Sequence, residues 1–202
     1  MAKKASTFFN MTLVLTAVCI VAGVVLGAVH RLTEEPVMRA EKAKQEQAVQ
    51  EVAPDFDNDP LAEQYVCTLY AGTKEEMTLT VFPARQNGVF VGAAVESLTR
   101  KGFGGEISVM VGFDADSTIR NYRVLKHAET PGLGSKMEEW FRSDKNRQSI
   151  LGLHPDKENL NVSKDGGQID AITAATISSR AFLDAIQNAY RAFIQNPETI
   201  KP

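Results

Sequence analysis

The chain has 202 residues, of which 44% are hydrophobic, and its formal net charge at pH 7 is −3. This length and composition suit one domain with its own core plus an additional segment. No basic stripe is present that would neutralise a row of phosphates, which argues against a nucleic-acid-binding protein. No group of Cys and His residues has metal-site spacing, so the sequence predicts neither a structural zinc nor an iron–sulfur cluster.

Residues 5–29 contain no charged side chain. A helix of about 25 residues would span ~37 Å, enough to cross a bilayer core of about 30 Å. Lys3 and Lys4 precede this segment, which predicts that the N-terminus is cytoplasmic and the rest of the chain extracytoplasmic. The alternative is a cleaved signal peptide, but its apolar region would be unusually long and no good Ala-x-Ala site follows. The sequence therefore predicts a cytoplasmic N-terminus and a single-pass anchor over residues 1–33.

The segment after the anchor is rich in Ala, Glu, Gln and Lys as far as Val52, and these strong helix formers favour a helical stalk. A run with prolines at both ends, from Pro54 to Pro60, breaks that pattern. We therefore expect a stalk or linker over residues 34–60 and an extracytoplasmic domain over residues 61–202.

The outer domain has the alternating, β-branched and aromatic pattern of strands in five places. The predicted strands are residues 65–70, 77–82, 89–95, 105–113 and 118–125, the last two forming a hairpin around residues 114–117. A short helix is expected over residues 135–142, and helical spacing of apolar residues predicts a long last helix that ends near Gln195. The fold class is therefore α+β: one N-terminal transmembrane helix, then a strand-rich domain with a long C-terminal helix.

Residues 170–179 place one carboxylate and several hydroxyls at the expected start of that last helix. A helix N-terminus has unpaired backbone N–H groups and the positive end of a dipole, and both favour a phosphate. The two central alanines would let a bulky phosphorylated ligand approach the backbone. Alternatively, the side chain of Thr173, Ser178 or Ser179 caps the helix by accepting hydrogen bonds from its N–H groups. These residues alone leave both interpretations open.

The segment Asp170-Ala-Ile-Thr173-Ala174-Ala175-Thr176 resembles the flavinylation motif Asp-x-x-(Ser/Thr)-Gly-Ala-Thr of the FMN-binding domain family. The resemblance implies that Thr176 is esterified to the phosphate of FMN, as a phosphothreonyl flavin. It also implies that Asp170, Thr173, Ala174 and Ala175 belong to the cofactor-binding motif. The family usually has Gly where this chain has Ala174, and the added methyl group would matter if the position required a positive φ.

Two turn-forming segments gain meaning from the same resemblance. The segment Glu129-Thr130-Pro-Gly-Leu133-Gly is similar to one that lies against the flavin in this family, which implies that Glu129 and Thr130 orient the ring and Leu133 covers its apolar face. In the turn Lys164-Asp-Gly-Gly, Lys164 is expected to be a positive neighbour of the FMN phosphate or ring. A solvated turn lysine is the alternative for Lys164.

The glycine turn at residues 101–105, the turn at residues 164–167, the anchor and the order of elements together resemble one branch of the family, the G subunits of Rnf-type ion-translocating electron transport complexes. This implies a protein that relays electrons through covalent FMN among other integral membrane and redox subunits, without turnover alone. It implies the bacterial inner membrane, with the domain on the periplasmic side, and maturation by a flavin transferase that uses FAD and a divalent cation. The alternatives are the C subunit of a sodium-pumping NADH:quinone reductase, a tethered non-covalent ligand-binding module, or a scaffold.

Overall fold

The computed structural model describes residues 8–195, and Lys3 and Lys4, on which the predicted membrane orientation depends, lie outside this range. The chain divides into two compact units, one ending at Gln45 and one beginning at Glu46.

Helix α1 runs from Phe8 to Val52, and the apolar anchor lies within its first half. By length and composition, this is the one helix in the described part of the chain that could cross a membrane, and none of its apolar window is buried. The large apolar side chains in that window, such as Leu15 and Leu26, are more than half exposed. A helix that is apolar on all sides is suited to a lipid environment.

The second unit contains one five-stranded antiparallel sheet in which each strand pairs with its neighbours in the chain. Its strands are β1 Tyr65–Leu69, β2 Met77–Gln86, β3 Val89–Thr99, β4 Ile107–Asp114 and β5 Ile119–Lys126. The five predicted strands are all present, but β2 and β3 each extend four residues beyond their predicted C-terminal ends. Asn87 and Gly88 explain the longer β2, because both adopt positive φ and join β2 to β3 by a tight turn.

Four helical elements follow the sheet in the described part of the chain: a 3₁₀ turn (Gly134–Lys136), the short helix α2 (Met137–Trp140), a second 3₁₀ turn (Ser163–Asp165) and the long helix α3 (Thr176–Phe193). The apolar face of α3 covers one face of the sheet. The ring of Phe193 lies 4.9 Å from that of Phe113 on β4, and the ring of Phe182 stacks at 4.6 Å on that of Phe141. The predicted α+β class with a long C-terminal helix is confirmed.

The opposite face of the sheet is covered by the last turns of α1. Val49 and Val52 are buried there, against an apolar cluster that includes Phe82 and Met110. A Cβ at position 112 would overlap the backbone carbonyl of Val52, so Gly112 permits this close approach. The compact outer unit therefore includes helical residues from Glu46 onward, and the predicted boundary at residues 54–60 lies inside it.

Candidate functional site

The first turn of α3 is open. Ala175 occupies the N-cap position, and no side chain makes a capping hydrogen bond there. Within residues 8–195, the backbone N–H groups of Thr176, Ile177 and Ser178 have no hydrogen-bond partner. The capping alternative is therefore wrong, and the unpaired donors and the positive helix end are free to interact with an anion.

Two of the three hydroxyls proposed as caps, those of Ser178 and Ser179, are used elsewhere. Ser179 Oγ accepts a hydrogen bond from the backbone N–H of Ile172 at 2.9 Å and donates one to the carbonyl of Ala175 at 3.0 Å. These two bonds fasten the preceding turn to the helix start. Ala174 in that turn has a φ of 62°, so the position does adopt the left-handed conformation that favours glycine.

Glu129 is buried beside the same helix start, with only 4% of its surface exposed. Its Oε1 accepts a hydrogen bond from the N–H of Gly104 at 2.9 Å, and its Oε2 accepts a short one from the Ser178 hydroxyl. A Cβ at Gly102 or Gly134 would lie 2.7 Å from this carboxylate. The buried carboxylate therefore joins the 101–105 turn, the 129–134 turn and α3, with glycines providing the space.

A pocket of about 450 Å³ lies where these three segments meet. Its apolar wall contains three side chains that are substantially exposed: Phe103 (69%), Leu133 (40%) and Ile177 (49%). The pocket volume is within the range of small-molecule sites, which have mostly apolar walls and a few polar groups. The remaining wall residues are Glu129, Thr130, Gly134, Ala174, Ala175, Thr176 and Ser178.

One cation lies at the edge of this pocket. Lys164 belongs to the 3₁₀ turn before α3, and its Nζ lies 3.4 Å from the hydroxyl oxygen of Thr176. Within the described residues Lys164 forms no ion pair with a carboxylate, so its charge is available to an anion at Thr176.

Asp170 has a different setting. Its carboxylate accepts a hydrogen bond from the N–H of Arg147 at 3.4 Å and lies 3.5 Å from that guanidinium. Its backbone N–H donates to the carbonyl of Arg147 at 2.7 Å, and its own carbonyl accepts from Trp140 Nε1 at 2.8 Å. Asp170 therefore ties the start of the motif to residues 140–147.

Of the predicted site residues, six line the one pocket: Glu129, Thr130, Leu133, Ala174, Ala175 and Thr176. Lys164 contacts Thr176, whereas Thr173 is exposed and does not line the pocket. Three further wall residues were not predicted to line a pocket: Phe103, Ile177 and Ser178, the last of which was considered only as a cap. An aromatic between glycines, as in Gly-Phe-Gly-Gly, was the available signal for Phe103, since such a side chain is presented by a turn.

These groups fit FMN. A hydroxyl, a cation and open N–H groups suit its phosphate end, and an exposed apolar wall suits a flat aromatic ring system.

Residues 102–191 match the model of the FMN-binding domain family. This range contains every wall residue of the pocket and Lys164. The fold and site therefore define the class as an FMN-binding domain carried by a chain with an apolar N-terminal helix.

Several curated relatives share most of this chain. The G subunit of the ion-translocating oxidoreductase complex of Aliivibrio fischeri (strain ATCC 700601 / ES114) is 30% identical over 191 residues, covering 91% of this chain and 89% of the relative. The protein of that name from Yersinia pestis is 35% identical over 170 residues, covering 81% of this chain and 79% of the relative. The chain belongs to the family of G subunits of ion-translocating oxidoreductase complexes, as the sequence resemblance predicts.

Proposed function

We propose that this chain is an electron-transfer subunit of a membrane-bound, ion-translocating redox complex and that it carries FMN on Thr176. Its family membership and the match to an FMN-binding domain support the electron-transfer role and the cofactor. One observation supports Thr176 as the attachment residue. The Thr176 hydroxyl lies at the open start of α3, 3.4 Å from Lys164 Nζ and in the wall of an exposed apolar pocket.

Bound FMN would supply one- and two-electron chemistry, so the protein's task is to hold it and set its surroundings. Thr176 would provide the ester oxygen, and Lys164 and the N–H groups of α3 would offset the charge of the phosphate. Phe103, Leu133 and Ile177 would contact the ring system and exclude water from part of it. The buried Glu129 would keep the segments of the pocket together.

The covalent attachment would be a phosphoryl transfer. The oxygen of Thr176 forms a bond to the phosphorus on the FMN side of FAD, the pyrophosphate bond breaks, AMP leaves, and the hydroxyl proton passes to a base. Within the described residues the only hydrogen-bond partner of the Thr176 hydroxyl is Lys164, whose ammonium is not a base. This supports a separate flavin transferase, with a divalent cation, as the source of the base and of phosphate activation.

The proposal places the FMN-binding domain outside the cytoplasm and makes the chain dependent on partner subunits, which provide electrons and accept them. We infer that the isolated chain turns over no substrate. An ester to Thr176 would prevent loss of FMN in a compartment where the cofactor is hard to replace.

The test is covalent labelling of the full chain co-expressed with a flavin transferase. We expect wild type to fluoresce in a denaturing gel and to gain the mass of FMN minus one water, and Thr176→Ala to do neither. Thr68→Ala is the matched control, because Thr68 is an exposed threonine on β1 that lies outside both the motif and the pocket wall. It should label like wild type.

Retention of covalent FMN in Thr176→Ala would show that another residue is the attachment site. Absence of covalent flavin from wild type would contradict the covalent proposal and favour the tethered, non-covalent binding module.

A further inference from the structure

We propose that Asp165 and Arg180 are positioning residues that hold the Lys164 ammonium at the Thr176 hydroxyl and so set the rate of flavin attachment. The inference rests on the proposed function, because it concerns how the attachment residue is presented to the flavin transferase.

The two residues form a bidentate ion pair. Arg180 Nε donates to one carboxylate oxygen of Asp165 at 2.6 Å, and Nη2 donates to the other at 2.7 Å. Two parallel N–H···O bonds fix the relative orientation of the groups as well as their distance. The Arg180 guanidinium lowers the pKa of the Asp165 carboxyl, so the pair is charged on both sides at neutral pH.

The spacing of these residues converts the ion pair into a two-point attachment. Lys164 and Asp165 are consecutive in the 3₁₀ turn, and their partners Thr176 and Arg180 are four residues apart on α3, on the same face of the helix. Attachment at Asp165 therefore limits where the neighbouring Lys164 side chain can reach. Without the ion pair, the 3.4 Å contact of Lys164 would be the only side-chain hydrogen bond between residues 164–165 and α3 in the described part of the chain.

The turn itself is suited to this task. Gly166 ends it in the left-handed conformation (φ 80°), and a Cβ at Gly167 would overlap the backbone of Asn161. The N–H groups of Asp165 and Gly167 both donate to the carbonyl of Val162, at 2.8 and 3.1 Å. This hydrogen-bonded turn presents the two side chains on a defined backbone, so the ion pair transmits its geometry to Lys164.

Three cations lie near the start of α3, and they differ in whether a carboxylate pairs with them. Asp165 neutralises Arg180, and Asp184 neutralises Lys101 through a 2.8 Å ion pair on the next turn of α3. Among the described residues, Lys164 is the cation at the Thr176 hydroxyl that forms no ion pair with a carboxylate, and its interaction with Asp165 is Coulombic only. It is the group placed to offset phosphate charge during transfer, whereas Arg180 acts through its effect on Lys164.

A double-mutant cycle on the rate of labelling distinguishes positioning from a direct role. Purified full-length apo-protein is incubated with flavin transferase, FAD and Mg²⁺, and the initial rate of covalent fluorescence is measured for four forms: wild type, Lys164→Gln, Arg180→Gln and the double variant. The initial labelling rate of Lys164→Gln should be about 10- to 100-fold below that of wild type, because the charge-assisted contact is lost. The labelling rate of Arg180→Gln should be roughly tenfold below that of wild type, because Lys164 is no longer held at the Thr176 hydroxyl.

The decisive result is the double variant. If Arg180 acts through Lys164, adding Arg180→Gln to Lys164→Gln changes the rate no further, since the group being positioned is already absent. Independent effects, in which the two fold-changes multiply, would overturn the positioning role, as would an Arg180→Gln variant that labels at the wild-type rate. Arg180→Lys keeps the charge but loses the two parallel bonds, so we expect a rate between those of wild type and Arg180→Gln.

Asp184→Asn is the matched control, because it breaks a different ion pair on the same helix and should label at the wild-type rate. The thermal midpoint of Arg180→Gln should stay close to that of wild type, because both side chains of the pair are substantially exposed. A wild type that accepts no covalent flavin would overturn the proposed attachment itself. Normal wild-type labelling with multiplying effects would overturn only the positioning role.

Discussion

At the scale of single residues, Ala174 is where this chain differs from the flavinylation motif it otherwise matches. Its backbone is left-handed (φ 62°) in the turn that leads into α3. A Cβ in this conformation costs roughly 1–2 kcal/mol, which glycine avoids. The geometry gives a physical reason for glycine at this position of the motif, and it indicates that this chain tolerates local strain next to Thr176.

Replacing Ala174 by glycine should therefore stabilise the outer unit. We expect Ala174→Gly to raise the free energy of unfolding by about 0.5–1 kcal/mol, since relief of strain exceeds the added entropy of the unfolded chain. Ala171→Gly is the control: Ala171 lies in the same segment without a positive φ and packs partly against the core, so its loss should lower stability. Chemical denaturation measures both. Destabilisation by Ala174→Gly would contradict the strain argument.

Leu133 is one of three exposed apolar side chains in the pocket wall, and the proposed function has it contact the flavin ring. In labelled protein, Leu133→Ala should expose part of the ring to water, which shifts its reduction potential and fluorescence. A change of about 1 kcal/mol in the stability of the oxidised relative to the reduced flavin corresponds to roughly 20 mV for a two-electron couple. Val89→Ala, at an exposed residue outside the pocket wall, should leave both unchanged, and a Leu133→Ala variant with wild-type potential would remove Leu133 from the site.

Among residues, Thr176 was proposed from the resemblance to the flavinylation motif, and Glu129 and Lys164 were proposed from turns that resemble segments of the same family. Neither pattern revealed that Glu129 is buried and bridges two backbone segments, because burial depends on chain segments that are distant in sequence. Nor did either reveal Phe103 or Ile177, which belong to the pocket only because two turns and a helix start converge there.

At the scale of elements, α1 has two halves with different chemical surroundings. Its first half is apolar and exposed, whereas its last turns are buried against the sheet. Glu51 near its end pairs with Arg123 at 2.8 Å and with Arg142 at 3.5 Å, and its carbonyl accepts a hydrogen bond from Asn121 at 3.1 Å. These contacts make the end of α1 a structural part of the outer unit.

Because of this difference along α1, two Val→Ala substitutions on the helix should change the stability of the outer unit by very different amounts. Val52→Ala should lower the free energy of unfolding of the outer unit by about 2 kcal/mol, because Val52 is fully buried and truncation leaves a cavity. Val37→Ala changes the same residue type on the same helix, but Val37 is 51% exposed, so its effect should stay within about 0.5 kcal/mol. Equal effects in denaturant titrations would contradict the docking of the α1 end.

Strands and helices were easier to predict than their ends. Alternating and helical patterns located the five strands and α3, because those patterns follow from burying one face of an element. The ends depend on turns such as Asn87-Gly88, where positive φ permits a tight hairpin and lets β2 continue to Gln86. The packing of the last turns of α1 against the sheet was not predicted, because only Ala48, Val49 and Val52 are buried there, at the end of a segment otherwise rich in exposed helix formers.

At the scale of the whole molecule, the proposed function requires the FMN-binding domain to lie outside the cytoplasm. A reporter that is active only after export, fused after Pro202, should be active in cells, and a reporter active only in the cytoplasm should be inactive at the same position. Exchanging Lys3 and Lys4 for glutamates should weaken this orientation, because positive charges beside an apolar segment favour a cytoplasmic location for that end. Cytoplasmic activity of the wild-type fusion would overturn the topology.

The sequence alone determined the composition-level and local properties of this protein: an apolar segment long enough to cross a bilayer, an α+β outer domain, and the threonine motif at the start of its last helix. Each is encoded within a few tens of consecutive residues, through hydropathy, periodicity and backbone preference. Only the tertiary structure decided that the glycine turns meet at Glu129, that Lys164 faces Thr176 while Asp165 binds Arg180, and that Asp170 binds Arg147. These are contacts between segments distant in the chain, and their geometry depends on how the sheet and helices pack around a shared core.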